Sequence, residues 1–291
     1  MVNKTAILAM LFLKDLGRQK AIKIIKESKS LETLNDLNRI LKGNYSSESI
    51  ESAWSKSQEI IDKCIESEIE IISMEDKLYP IELLKIRNPP VLLYYVGDTD
   101  LLNQKSIAIV GTRDASDKGR EAAYELSTSL VDKGYVIVSG LAKGIDTEAH
   151  KGALSKDGAT IAVIAQGIDT LSKNIVNQFV GSGGILSEFT LGIKSNKWHF
   201  VDRDRLQSGL SKATIVVETS LKGGTMHTAK FCKEQGRALF AISDIEAEGN
   251  KKLLREDAIP IGSDIGVLQI EDELKKFYTK GKVQSALGEF N

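Results

Sequence analysis

Cysteine is nearly absent from this 291-residue chain: Cys64 and Cys232 are the only two, and they lie far apart. That excludes a disulfide framework and a thiolate metal site, and it fits a reducing compartment. Net charge is scarce as well. Thirty-nine Lys and Arg stand against 40 Asp and Glu, a formal charge of -1. A uniformly basic nucleic-acid binder is excluded, so any polyanion site must be a local patch. Long hydrophobic runs are missing. The opening MVNKTAILAMLFLKDLG is too short to span a membrane and shows no small-residue cleavage pattern. It reads as an amphipathic first helix, and the expectation is a cytoplasmic protein that makes no membrane contact.

Glycine and proline are short in supply where the chain starts, and that divides it. Only two of the 24 glycines precede Gly97, whereas 20 fall between Gly97 and Gly266. Three of the four prolines, Pro80, Pro89 and Pro90, share one short window that helices rarely cross. The expected division is a helical part over 1–68, a linker or extension over 69–97, an alternating part over 98–272 and a tail over 273–291. The helical part shows apolar stripes at Ile7, Leu8, Leu11 and Phe12, at Ala21, Ile22, Ile24 and Ile25, and at Leu31, Leu34, Leu37 and Leu41. A longer helical segment follows from about Ser47 to Ser67. The piece from Leu13 to Ala21 faintly resembles a helix–hairpin–helix, and a plain helical turn accounts for it too. The tail reads as a short helix with a frayed end.

What the alternating part does have is a regular succession of strands and helices. Strands are expected at 106–110, 135–139, 160–165, 185–188, 213–218 and 238–242. Helical patterns fall near 117–132, 145–156, 172–181, 204–212 and 225–236. Short apolar strands separated by helices of ten to fifteen residues imply crossover units. Strands as continuously apolar as Thr214-Ile215-Val216-Val217 imply a sheet covered on both faces. The fold class is therefore α/β: a doubly wound, mostly parallel sheet.

Such a sheet binds ligands beyond the carboxyl ends of its strands. Gly111, Thr112 and Arg113 lie there after the first strand, and Ser139, Gly140 and Lys143 after the second. Gln166, Gly167, Asp169 and Lys173 follow the third. Glu188 comes next, then Lys197, Trp198, His199, Phe200, Arg203 and Arg205. Glu218, Gly223, Gly224 and Thr225 follow the fifth. A tight glycine turn at a helix N-terminus suits an anion. Cations supply phosphate contacts, and exposed aromatics stack on unpaired bases. The glycines would let a phosphate backbone approach closely. Phe200 is read either as a stacking residue or as core. Arg203 and Arg205 are two apart and point roughly 200° from each other in a helix. One at most faces a ligand, and the other pairs with an acid such as Asp202 or Asp204.

Enzymatic signals are thin. Neither G-x-G-x-x-G nor G-x-x-x-x-G-K-[ST] occurs. His150, His199 and His227 are scattered, and His150 reads as a packed or capping side chain. Ser139 lacks a nucleophile-elbow context. Asp146 and Glu148 suit a first helical turn without any chemical role. Asp169 and Glu188 could form a carboxylate pair, at a separation the sequence does not fix.

The run IAIVGTR…VSGLAKGIDTEAH…TIAVIAQGID…GGILSEF…HFVDRDRLQSGLSKATIVVET…GGTMHTAKFCKEQGRALFAI resembles the DprA/Smf family of DNA-processing proteins. The upstream EDKLYPIELLKIRNPPVLLYYVGD and the downstream GNKKLLREDAIPI resemble it too, so the likeness covers roughly residues 75–265. It implies an extended Rossmann-like fold preceded by a small SAM-like helical domain. It implies binding and protection of single-stranded DNA in natural transformation, loading of the RecA recombinase, a homodimer formed through the Rossmann-like domain, no cofactor and no catalysis. By position it assigns DNA contacts to Arg113, Lys173, Lys197, Phe200, Arg203 and Arg205. The chain departs from the family's pattern in places. Asp204 stands inside the R-N-R strip, Gly167-Ile168-Asp169-Thr170-Leu171-Ser172 stands where the family has G-L-D-x-x-Y-P so that the Tyr-Pro is lost, and Gly223-Gly224 replaces Ser-Gly.

A second reading is a nucleotide-binding or nucleotide-hydrolysing enzyme or sensor related to phosphoribohydrolases. Against it, the loop from Lys222 to Thr228 lacks their glutamate. A third is a pure interaction scaffold, in which the N-terminal helices and the dimer surface matter more than DNA.

Overall fold

The computed structural model describes residues 2–28, 30–264 and 266–288, with side chains as far as 279. Four helices open the chain: α1 (Lys4–Phe12), α2 (Gly17–Glu27), α3 (Leu34–Leu41) and α4 (Ser47–Glu66). Three start at a side chain that takes up an orphan amide. Asn3 accepts from Thr5, Thr33 and Asp36 form a reciprocal box, and Ser46 accepts from Ser49. The first helix departs from the amphipathic expectation. Ala6 through Met10 are at most 2% exposed, while Leu11 is 37% exposed. The cause is position, because α1 packs against both α2 and α4.

The sheet part begins with β1 (Glu70–Ser73), α5 (Ile81–Leu84), β2 (Leu92–Gly97), β3 (Ser106–Val110), α6 (Asp117–Val131), β4 (Val136–Ser139), α7 (Ile145–Leu154) and β5 (Thr160–Val163). It continues through α8 (Lys173–Phe179), β6 (Gly183–Ser187), α9 (Lys197–Leu210), β7 (Ala213–Val216), α10 (Thr225–Glu234), β8 (Ala238–Ile242), α11 (Glu248–Arg255), β9 (Ile259–Ile261) and α12 (Val267–Gly288). The nine strands of the described residues form one sheet in the order β1-β2-β6-β5-β4-β3-β7-β8-β9. From β6 to β9 the pairing is parallel, and β1–β2 and β2–β6 are antiparallel. Helices cover both faces. Ile107 and Ile109 pack with α6 and α7, whereas Ala108 and Val138 share a cluster with Leu206 and Leu210 of α9.

Three stretches differ from expectation. The segment 69–97 supplies β1 and β2, so it is built into the sheet. Val91 through Val96 are all buried there, and hydrophobic packing runs unbroken from α1–α4 into this face of the sheet. The tail is not a short helix with a frayed end, since α12 runs as far as Gly288. The final three positions, 289–291, lie outside the described residues. The helix expected over 204–212 begins at Lys197, because Asn196 caps it by accepting from the amides of Trp198 and His199.

The topology fixes where a ligand goes. Strand β3 pairs with β4 on one side and β7 on the other. Crossovers run one way from β3 to β6 and the other way from β7 to β9. At such a switch point the loops diverge and leave a crevice. Among the described residues no helix is long and apolar enough to cross a membrane.

Candidate functional site

Two adjoining clefts occupy that switch point. The first, about 410 Å³, is walled by the turn Gly111–Asp114 after β3, by α9, and by Gly223, Gly224, Thr225 and Thr228 at the start of α10. The second, about 350 Å³, lies between Leu141–Lys143, the end of β5 from Val163 to Gln166, and Leu171 and Ile175. Arg113, Ala142, Phe200 and Arg203 belong to both. Phe200 thus stands on the divide. Arg113 lies over its ring at 5.3 Å and Arg203 at 5.9 Å, so two cations address one half-buried ring.

The walls are held from behind. The amide of Thr112 donates to the Glu218 carbonyl at 2.8 Å, and the Glu218 carboxylate accepts from the amide and hydroxyl of Ser116. These bonds lock the turn after β3 to the chain leaving β7. Asn250 adds a second clasp: its amide nitrogen donates to the carbonyls of Val217 and Ile242, and its oxygen accepts from the Thr219 amide. On this frame Arg113 is exposed and, among the described residues, forms no hydrogen bond or ion pair, though its charge is felt by Asp204. Its charge is left for a ligand.

The floor carries acids. Arg203 is 6% exposed; its Nη1 donates to the Val163 carbonyl at 3.1 Å, and its Nε lies 3.2 Å from Asp204. Gln207, with its amide oxygen toward these donors, accepts from Arg203 Nη1 at 3.0 Å and from the Gly140 amide at 2.7 Å. Burial raises the Asp146 carboxyl above its usual range against the pull of Arg203. Burial likewise pushes Asp204 up to about 7, opposed by Arg203 and Arg113 and reinforced by Asp146. His150 packs beneath, with Nε2 donating to the Gly140 carbonyl at 2.6 Å and Nδ1 2.7 Å from the Thr160 hydroxyl. Burial lowers its pKa to about 4, which keeps it neutral, so it is the packed histidine that was expected.

The structure gathers some expected site residues and separates others. Gly111, Thr112, Arg113, Phe200, Arg203, Gly223 and Gly224 line the first cleft, and Lys143 lines the second. Lys173 and Lys197 are exposed at the starts of α8 and α9, outside both clefts. Ser139 and Gly140 lie beneath the site. The Ser139 hydroxyl is spent on the Ile109 carbonyl at 2.6 Å. A Cβ on Gly140 would strike Arg203 and Asp146. That glycine makes room for the buried charges and not for an approaching phosphate. Gly111 is similar, because its missing Cβ leaves space for Ile145 and the Glu218 carbonyl. Arg205 is 5% exposed and turned away from both clefts, where it pairs with Glu188, which also takes Arg18 at 3.2 Å.

Among the polar residues of the first cleft, sequence reasoning did not place Asp114, Asp146, Asp204, Gln207 and Thr228 at the site. The helical spacing of Asp204 and Gln207 with Phe200 and Arg203 was a usable signal, because i, i+3, i+4 and i+7 share a face. No metal-binding group of three or more His, Cys, Asp or Glu occurs among the described residues.

A family profile described as DNA recombination-mediator protein A matches residues 70–272. The chain belongs to this family. It is 37% identical over 203 residues to the DNA processing protein DprA of Streptococcus pneumoniae, covering 66% of this chain and 72% of that one. It is 35% identical over 240 residues to the protein of the same name from Bacillus subtilis, covering 79% and 81%. The X-ray structure of the S. pneumoniae protein matches 92% of this chain and 98% of its own, with TM-score 0.75 at 31% identity. A Helicobacter pylori DprA structure, solved to show its single-stranded DNA binding mode, matches 71% of this chain and 97% of its own, with TM-score 0.63 at 29% identity. The family covers both walls of the paired clefts.

Proposed function

We propose that this protein binds single-stranded DNA across the two clefts, with phosphates at Arg113 and an unpaired base on Phe200. On the same reading it protects the strand and passes it to the RecA recombinase. It does so without a cofactor or catalysis of its own, and as a homodimer formed through its Rossmann-like part. The observation that carries the reading is the half-buried Phe200 ring between Arg113 and Arg203. It stands between a polar cleft and an apolar one. A cation with no ion pair supplies the phosphate contact, and an aromatic face accepts any base. A duplex keeps its bases stacked inside and cannot use that ring.

Fluorescence anisotropy with an unstructured oligonucleotide and a duplex of equal length tests this at two salt concentrations. The single strand binds more tightly, and its affinity falls with salt as counterions return. Arg113→Ala weakens binding about tenfold or more, the worth of a charge-assisted contact. Equal affinity for strand and duplex, or an Arg113→Ala protein as tight as the parent, overturns the reading.

A further inference from the structure

Tryptophan is a large side chain and is ordinarily well buried. Trp198, in the first turn of α9, is 72% exposed. Its place is nonetheless fixed. Its amide donates to the Asn196 side-chain oxygen at 2.9 Å, and the His199 amide donates to the same atom at 3.1 Å. The His199 ring stacks on Phe189 with centroids 4.2 Å apart. The loop before the cap is tied down as well. The Gly192 amide donates to the Asp169 carboxylate at 2.9 Å, and the Gly167 amide to the Ile193 carbonyl at 2.8 Å. Lys194 and Lys197 precede Trp198 closely in the chain; both are exposed, and among the described residues neither forms an ion pair. Lys197 Nζ lies over the indole, 5.8 Å from the ring centroid. Asp202, one turn on, is exposed, and its charge bears on Arg205.

We propose that Trp198 is a second stacking platform for a single strand, outside the two clefts, with Lys194 and Lys197 as its phosphate contacts. The proposal extends the single-strand reading above and rests on it. Phe200 and Trp198 are two residues apart, so they point about 200° from each other, to opposite sides of α9. Phe200 serves the clefts. Trp198 shares a helical stripe with Arg205, seven residues on, and Arg205 meets Glu188, which also holds Arg18 of α2. The platform therefore lies on the side of α9 that meets the helical part of the chain. A strand that lays one base on Phe200 crosses the start of α9 and lays a later base on Trp198. That path leads toward α2, which carries Arg18, Lys20, Lys23 and Lys26 against the single acid Glu27. It also gives Lys197 a role that the clefts do not, since Lys197 lies outside both. An exposed tryptophan can equally seat a protein. Here the two unpaired lysines favour a polyanion, and the open ring favours one whose bases are unpaired.

Anisotropy and tryptophan-emission titrations test this with thymidine oligonucleotides of about four and about sixteen nucleotides, the range of common single-strand sites. Trp54 and Trp198 are the chain's two tryptophans, so emission reports on few places. The long strand quenches the parent's emission. Trp198→Phe abolishes that quenching and keeps the affinity, since every aromatic offers a π-face to a base. Trp198→Ala weakens the long strand about tenfold, the worth of one stacked base, and leaves the short strand bound as in the parent. The Tm of both variants stays that of the parent, because the ring is exposed. A duplex as long as the long strand leaves the emission unchanged. A Trp198→Ala protein that binds the long strand like the parent overturns the proposal, as does quenching that survives in Trp198→Phe. In that event a loss of affinity in Arg113→Ala still upholds the clefts. If Arg113→Ala and Phe200→Ala instead bind like the parent and Trp198→Ala does not, the cleft reading falls and the platform stands. A parent protein that binds neither strand overturns both.

Discussion

Arg203 and Arg205 lie two residues apart on α9 and are almost equally buried, yet their surroundings are opposite. Arg203 faces the cleft, where Asp204 answers its charge and the neighbouring Arg113 remains unpaired. Arg205 faces the helical part of the chain, where Glu188 joins it to Arg18 of α2. Helical spacing of about 200° requires such a split. The structure adds which arginine goes where. A basic strip in a sequence therefore does not count ligand contacts. The partner each cation finds decides whether its charge is left over for a ligand or closed within the fold.

The sharpest way to break the comparison is to remove the partner on the closed side. Glu188→Ala leaves Arg205 buried and uncompensated, a loss of about 3–5 kcal/mol of stability. Chemical denaturation reads it directly. The double replacement Glu188→Leu, Arg205→Met restores most of the loss, because a buried pair contributes little beyond its apolar equivalent. A Glu188→Ala protein within about 0.5 kcal/mol of the parent would return Arg205 to the list of available cations.

Much of this was legible in the sequence, for physical reasons. Continuous apolar strands between helices gave the parallel sheet, and the sheet gave the rim. Arg113 and Phe200 were readable because each follows a strand or a cap at that rim. Ser139 and Gly140 were placed on the rim by the same rule and lie below it, since a hydroxyl spent on Ile109 leaves no trace in sequence. Strand β2 did leave one: Val91 to Val96 is an apolar run bounded by Pro90 and Gly97, the pattern of a fully buried strand. Strand β9 is short and contains Pro260, which suits the edge of a sheet and hides it from periodicity. The pairing of Arg205 with Glu188 and Arg18 joins residues up to 187 positions apart (205 − 18 = 187), and no local pattern reports it.

On the open side the next test is the ring. Phe200→Ala removes the stacking face that Arg113 and Arg203 address, and base–aromatic stacking is worth about 1–3 kcal/mol per base. Single-strand affinity falls about tenfold. Phe200→Tyr or Phe200→Trp retains it, because every aromatic offers a π-face. If instead Phe200→Ala keeps its affinity and loses folding stability, the residue is core, and the divide between the clefts is only structural.

The smallest expected effect isolates Asp204, the acid that sits between the two cations of the open side. Its carboxyl is raised by burial to about 7, with Arg203, Arg113 and Asp146 as the charged groups facing it. The folded chain therefore holds this proton to a higher pH than the unfolded chain does. Stability from this group is fully present below about pH 4 and is lost as pH rises through about 7. DNA affinity moves the same way, because ionised Asp204 cancels positive potential that the phosphates would otherwise meet. Between pH 6 and pH 8 single-strand affinity falls by about 1 kcal/mol, or about fivefold. Asp204→Asn keeps the shape and removes the titration, so its affinity stays near the low-pH value of the parent across that range. A parent and an asparagine variant with parallel pH profiles would mean that the proton resides elsewhere on the floor, with Asp146 the remaining carboxyl against Arg203. The variant Asp146→Asn would then carry the flat profile.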